Sequence, residues 1–350
     1  MNLKSILNLF SILILFFSFS YILPIVVSII FNDGALKIFI ITLVLIALLG
    51  SLGAFITRGA DNNLSQKDGF VIIVLFWIVL SLAGSIPFYL SGMSGIDSIF
   101  ESMSGITTTG ATVISNIEAL PESLLFYRQL LQWMGGMGLI VLAIAVMPLL
   151  GIGGGQIYKT EIPGAMGEQR LTPRIKETAQ ALWSIYFGLT VLCALLYYIN
   201  GMSFFDAVSH AMSTVAIGGF STHDESIGFF NSFSIELICI TFMLLSAFSF
   251  TLHYFAIYKR KPLKYVYDPE LRFFFSILLL IILTSLLLST FNDVNSSPSS
   301  REILFHSVSM LTTTGFSVSS TTDWPFSISF LLLIGAFIGA CSGSVGGGVK

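Results

Sequence analysis

Three short segments rich in threonine and glycine, set about 100 residues apart, carry the chemistry of this chain. They read Thr107-Thr108-Thr109-Gly110, Ala216-Ile217-Gly218-Gly219 and Thr312-Thr313-Thr314-Gly315. Holding a dehydrated alkali cation such as K+ takes an array of inward-pointing oxygens. Backbone carbonyls can supply it, and threonine hydroxyls can add one more layer. Glycine permits backbone angles that turn successive carbonyls toward one axis. The first and third segments hold both ingredients. The middle one keeps the glycine and lacks the threonines, so its contribution is read as carbonyl oxygen.

The register extends upstream. At one fixed offset before the last glycine stand Asp97, Asp206 and Glu302, and at a second stand Glu101, His210 and His306. The three acids fit two roles: capping the free amides of a short helix beginning there, or drawing cations toward an entrance. The histidines read as hydrogen-bonded packing residues, because a whole repeat separates them and no local metal spacing results. Copies of one polar loop in apolar surroundings point to loops meeting about a common axis, as in an ion pore.

The elements that must position these loops follow from composition. The chain is 55% hydrophobic and 10% charged, with a mean hydropathy of +0.89, whereas soluble domains carry roughly a quarter charged residues. It is an all-α polytopic membrane protein by this measure. Apolar runs predict eight spans, near 3–31, 35–57, 70–92, 123–150, 179–200, 233–258, 271–291 and 325–345. The first run is too long for a cleavable signal peptide. Stretches 95–107, 203–215 and 300–312 precede the three segments. Each is too short to cross, and suits a re-entrant half-helix followed by an extended return. The expected organisation is an N-terminal two-span hairpin at 1–57, then span–half-helix–loop–span units at 68–150, 176–260 and 268–350.

Lysines and arginines gather in alternate connections, among them Arg58, Lys159, Arg170, Arg174, Lys259, Arg260 and Lys261, against only Lys37, Arg128 and Arg301 opposite. The first side is therefore expected to be cytoplasmic, and the loops face outward among acids. Cys193, Cys239 and Cys341 share no close spacing and imply neither disulfide nor metal. Two further glycine clusters stand out. Gln132–Gly138 reads as a helix-packing face. Gly343, Gly346, Gly347 and Gly348 fall where the last span should cross, weakening the helix there; a gate is the preferred reading.

These motifs make the chain resemble the TrkH-type subunits of the Trk/Ktr/HKT superfamily of potassium transporters. The residues concerned are the three loops, Leu131–Leu139, Leu149–Gly155 with Thr160–Gly164, Leu171–Ala179 and Cys341–Gly348. The resemblance implies four span–pore-helix–span units about a pseudo-fourfold ion pore, filter glycines at Gly110, Gly219 and Gly315, and an intramembrane gating loop. It implies K+ as transported ion, no organic cofactor, a homodimer in the bacterial cytoplasmic membrane, and a cytosolic nucleotide-binding regulatory subunit. Filter glycine rather than serine favours potassium over sodium. Three units are visible and the chain stops within the third, so the expectation is of a fragment that forms no selective pore unaided.

Competing classes are a Na+-permeable pathway, a secondary transporter for another solute, and a non-conducting membrane subunit. The second predicts inverted repeats and intramembrane charge, whereas these repeats share one orientation and their loops are uncharged. No nucleophile–base pair, metal cluster or nucleotide loop at useful spacing suggests an enzyme, and nothing suggests a nucleic-acid partner.

Overall fold

The computed structural model describes residues 3–60, 66–138, 175–291 and 297–349. The regular elements among them are helical. The chain divides into two compact units, Met1–Pro163 with Thr172–Trp183, and Gly164–Leu171 with Ser184–Lys350.

In the first unit, α1 (Leu3–Ser18) passes through a 3-10 turn into α2 (Ile22–Phe31), and α1 packs along α3 (Leu36–Ile56). Leu3–Phe31 and Leu36–Ile56 run 29 and 21 residues, enough for the ~20 that cross the hydrocarbon. The next helix, α4 (Gln66–Leu90), contains Pro87. A proline there cannot donate to the carbonyl four residues back, Ala83 O, and its ring crowds that carbonyl. Tyr21 OH donates to Ala83 O at 2.9 Å, satisfying the acceptor that the proline frees, and Tyr127 OH donates to Gly84 O beside it at 3.0 Å. Asp33, in the turn between α2 and α3, accepts from Ala35 N at 3.0 Å, from Ser28 Oγ, and from Ser123 N at 2.8 Å. Burial opposes its ionisation, but these hydrogen bonds outweigh burial and hold its carboxyl below the usual range.

The half-helix α5 (Gly95–Ile106) and α6 (Glu122–Trp133) complete the described part of this unit. Beyond Trp133 the chain enters a π turn, Met134–Gly138, in which Gly136 leaves helical angles (φ −58, ψ −117). A Cβ on Gly135 would stand 1.7 Å from Ile106 O. This cluster is thus a close-packing face, seated on the end of the half-helix. The rest of the span expected to reach 150, the connection to 174 expected on the cytoplasmic side, and the family-like motifs within it lie outside the described residues.

A long helix, α7 (Ile175–Ile199), begins in the first unit and enters the second. There follow the half-helix α8 (Phe204–Val215), α9 (Phe233–Ala247), α10 (Phe250–Ile257), a short α11 (Lys264–Tyr267), α12 (Pro269–Thr290), the half-helix α13 (Ser300–Leu311) and α14 (Phe326–Ile338). All three half-helices fall where the sequence places them, and each has 12 residues. At 1.5 Å per residue that is roughly 18 Å, against ~30 Å of hydrocarbon.

Two expected spans need correction. The run 233–258 is not continuous: α9 and α10 meet at a 96° bend. The run 325–345 stops as helix at Ile338, where Gly339 takes φ +77. The two breaks complete each other. Ser246 O and Ala247 O, left free at the end of α9, accept from Val345 N (3.4 Å) and Cys341 N (3.0 Å), and Phe250 N donates to Gly343 O at 3.0 Å. Irregular backbone at membrane depth is tolerated only where protein satisfies it, and here the glycine-rich segment does so. Below the bend, His253 Nε2 donates to Leu245 O at 2.8 Å, so its Nδ1 accepts from Tyr265 OH at 2.6 Å. Among the described residues, four helices are long and apolar enough to cross a bilayer, five if the bent pair is one span; Val74–Leu90 and Phe326–Ile338 are shorter.

Candidate functional site

Each half-helix begins on a serine. Ser94, Ser203 and Ser299 accept from the amides of Asp97 (3.2 Å), Asp206 (3.0 Å) and Glu302 (3.3 Å). The acids thus sit in the first turn, where the helix dipole favours them, and the caps themselves are serines that the sequence reading passed over. The recurring Ser-x-x-Asp/Glu at one register was the available signal. At the third half-helix the box is reciprocal, since Ser299 N donates to Glu302 Oε2 at 2.7 Å. Asp206 does more: Thr222 Oγ1 donates to its Oδ1 at 2.7 Å and His223 Nε2 lies 3.3 Å from the same oxygen. Burial opposes its ionisation, but the bonds from His223, Ser203 and Thr222 outweigh that and hold its carboxyl far below the usual range.

Each half-helix also ends in the same way. Thr108 N donates to Gly105 O at 3.0 Å and Thr109 N to Ser104 O at 2.9 Å. The second loop repeats this with Ile217 N to Thr214 O (3.1 Å) and Gly218 N to Ser213 O (2.9 Å). The third does so with Thr313 N to Met310 O (3.0 Å) and Thr314 N to Ser309 O (2.8 Å). These paired bonds are the Schellman arrangement, whose turning residue is left-handed and usually glycine. Here it is Thr108 (φ 56), Ile217 (φ 54) and Thr313 (φ 64), β-branched each time. An L side chain there costs about 1–2 kcal/mol. Two residues on, Gly110 (φ 77), Gly219 (φ 79) and Gly315 (φ 83) are left-handed again. The same two reversals in three loops mark a backbone shape held against local preference, which is typical of functional sites.

The flanking threonines are turned toward each other. Thr107 Oγ1 donates to Met103 O at 2.6 Å and lies 2.8 Å from Thr109 Oγ1. Thr312 and Thr314 hydroxyls are 2.7 Å apart and buried. In the second loop Ala216, Ile217 and Gly218 are buried. Within the second unit, loops two and three touch. A Cβ on Gly219 would stand 2.0 Å from Thr314 O. Gly228 N donates to Ser317 O at 3.1 Å and Ser317 N to Ser226 Oγ at 3.2 Å. His210 Nε2 lies 3.0 Å from Ser221 Oγ, and its Nδ1 2.9 Å from Asp206 O, in keeping with a packing role. His306 Nδ1 lies 2.9 Å from Glu302 O, and its ring meets Trp324 edge-on at 4.7 Å.

The glycine-rich segment lies under these two loops. Gly347 N donates to Thr313 Oγ1 at 2.8 Å. A Cβ on Gly346 would come 2.9 Å from Thr312 O and 3.5 Å from Ile217 Cδ1. On the other side Ser342 N donates to Glu270 Oε1 at 2.5 Å. The segment is thus tethered to a hydroxyl of the third loop at one end and to the base of α12 at the other.

Helices long enough to cross a bilayer, with 12-residue half-helices ending in strained left-handed turns at Thr108, Ile217 and Thr313, define a polytopic membrane transport protein. The comparisons narrow the class. Residues 35–350 match the family model TrkH, described as a cation transport protein. The Trk system potassium uptake protein TrkH of Halomonas elongata is 51% identical over all of this chain and 73% of its own length. The Escherichia coli K12 protein of that name is 43% identical over 100% and 74%. The crystal structure of the potassium transporter TrkH from Vibrio parahaemolyticus superposes with a TM-score of 0.86 at 44% identity, covering 99% of this chain and 72% of that one. This chain belongs to the TrkH family.

Proposed function

We propose that this protein takes up potassium across the bacterial cytoplasmic membrane. The ion passes outward-facing loops in which Thr107–Gly110, Ala216–Gly219 and Thr312–Gly315 form the selectivity filter. The observation that carries this reading is the pair of left-handed residues in each loop. Alternating handedness lets successive carbonyls share one side of an extended chain, as a carbonyl filter needs. Each half-helix places its negative C-terminal end at the start of its own loop. The relatives named for potassium uptake support K+ as the cargo.

Gly343, Gly346, Gly347 and Gly348 form the gate. Their segment sits directly beneath loops two and three and is held by individual hydrogen bonds that its amides donate to Thr313, Glu270 and the free carbonyls at the end of α9. The pore is pseudo-fourfold, built of span–half-helix–loop–span units of which this sequence supplies three, and the complete protein works as a homodimer. Its cytosolic connections, with Lys259, Arg260 and Lys261 exposed, receive the nucleotide-binding regulatory subunit.

The test is growth of a potassium-uptake-deficient bacterium at low K+ with wild-type protein or Gly315→Ser. Gly315 has open space around its Cβ position and φ +83, so serine fits sterically while straining the turn. Rescue by the wild type, with weakened K+ over Na+ preference in the variant, is expected. Unchanged preference would count against the filter assignment.

A further inference from the structure

We infer that Arg128 and Glu101 are positioning residues for ion discrimination at the first loop. Their buried ion pair sets the path of the chain just beyond Gly110. The inference rests on the filter reading above and adds residues outside the filter. Both side chains are fully buried, and Arg128 Nε donates to Glu101 Oε1 at 2.8 Å. The pair reaches the loop through Thr112. Arg128 Nη2 donates to Thr112 Oγ1 at 3.2 Å, and that hydroxyl lies 3.0 Å from each carboxylate oxygen, to which it donates. Val113 N adds a bond to Glu101 Oε2 at 3.3 Å. Half-helix, return segment and α6 therefore converge on one charge cluster two residues past the glycine.

Such a pair is an expensive way to hold two helices together. Ionised groups at membrane depth are costly to desolvate, and well-packed apolar residues often replace a buried pair without loss. What apolar packing cannot do is hold a hydroxyl and a backbone amide in place at fixed angles. The second loop needs less: at the matching positions His210 Nε2 meets Ser221 Oγ at 3.0 Å, with no arginine, and loops two and three brace each other through their backbones. In the first loop Ala111, Thr112 and Val113 are exposed, and the bonds to Glu101 and Arg128 are what ties Thr112 and Val113 to the half-helix and α6. Binding constellations must be held to within about 0.5 Å, so slack beyond Gly110 becomes slack in the oxygens before it.

The experiment measures K+ uptake against Na+ competition in cells carrying the full-length protein. Thr112→Val cuts the brace where it meets the loop and leaves the buried pair intact. The expected result is about a tenfold fall in K+ over Na+ preference, the scale of one hydrogen bond to a charged group, with unchanged protein in the membrane. Thr112→Ser keeps the hydroxyl and should restore the preference. Because removing one charge alone endangers folding, the second variant is Glu101→His with Arg128→Leu, which is neutral and imitates the second loop; its preference should fall in the same direction. Wild-type preference in Thr112→Val or in the double variant, while Gly110→Ser lowers it, overturns the inference and leaves the filter reading standing. Wild-type preference in Gly110→Ser as well overturns both.

Discussion

The first loop and the adjoining second and third loops reach one backbone shape by different means. Loop one is braced from within its own repeat by a buried ion pair. Loops two and three lean on one another, with Gly219 against Thr314 O and Gly228 bonded to Ser317. The turn itself is identical, so its strain is met locally by charge in one case and by neighbouring backbone in the other. Repetition of a motif therefore does not imply repetition of what supports it. A substitution at equivalent positions should have unequal consequences, and the sharpest tests exploit that.

The largest contrast is expected between Gly219→Ser and Gly315→Ser. The first puts a Cβ 2.0 Å from Thr314 O, backbone that cannot yield, while the second meets nothing within 4 Å. Gly219→Ser should abolish uptake and lower the yield of folded protein; Gly315→Ser should keep the yield and change discrimination. Equal yields on detergent extraction would break the claim that loops two and three support each other.

Next comes Arg128→Ala, which strands a buried carboxylate and should cost about 3–5 kcal/mol. Arg301→Ala cuts the pair to Glu236, whose carboxylate is also buried but whose arginine is 40% exposed, so water can take the guanidinium's place and the cost should be smaller, about 1.5–3 kcal/mol. Similar losses of melting temperature for the two would show that the first ion pair is not the special support.

Acid should act on the second half-helix through Asp206. Its carboxyl is held below the usual range when folded, so its contribution is full above the unfolded value, about 3.9, and is lost as pH falls through the lower folded one. Wild-type melting temperature should therefore decline in acid more steeply than that of Asp206→Asn. Parallel curves would remove the return-segment staple from Thr222 and His223.

The smallest effects belong to the caps. Ser94→Ala, Ser203→Ala and Ser299→Ala should each cost about 1 kcal/mol. Ser299 should be the least costly, since its backbone amide keeps the bond to Glu302 when the hydroxyl is gone. Denaturation midpoints of the three variants rank them directly.

Much of this architecture was legible from residue order because its causes are local. The half-helices at 95–107, 203–215 and 300–312 stood out as short segments with an acid in the first turn and a glycine turn beyond the end. Helix capping acts over a few residues, and so does the left-handed turn. The break in 233–258 was not legible. Ser246-Ala-Phe-Ser-Phe250 contains neither proline nor glycine, and the bonds that compensate the break come from Cys341, Gly343 and Val345, about ninety residues away. Glu101 was noticed for its register, yet its partner Arg128 was read only as an outward-side charge, because pairing across 27 residues depends on how α5 meets α6.

The sequence by itself thus determined a membrane protein, the three half-helices with their glycine turns, and the membership that those motifs announced. Each rests on hydrophobic length, capping or backbone angle, which neighbouring residues decide. Only the tertiary structure decided which broken helix satisfies which, which loops support one another, and that a buried ion pair holds the first loop. These are matters of contact between distant segments, and in a low-dielectric interior an unmet carbonyl or charge is too costly to leave unpaired.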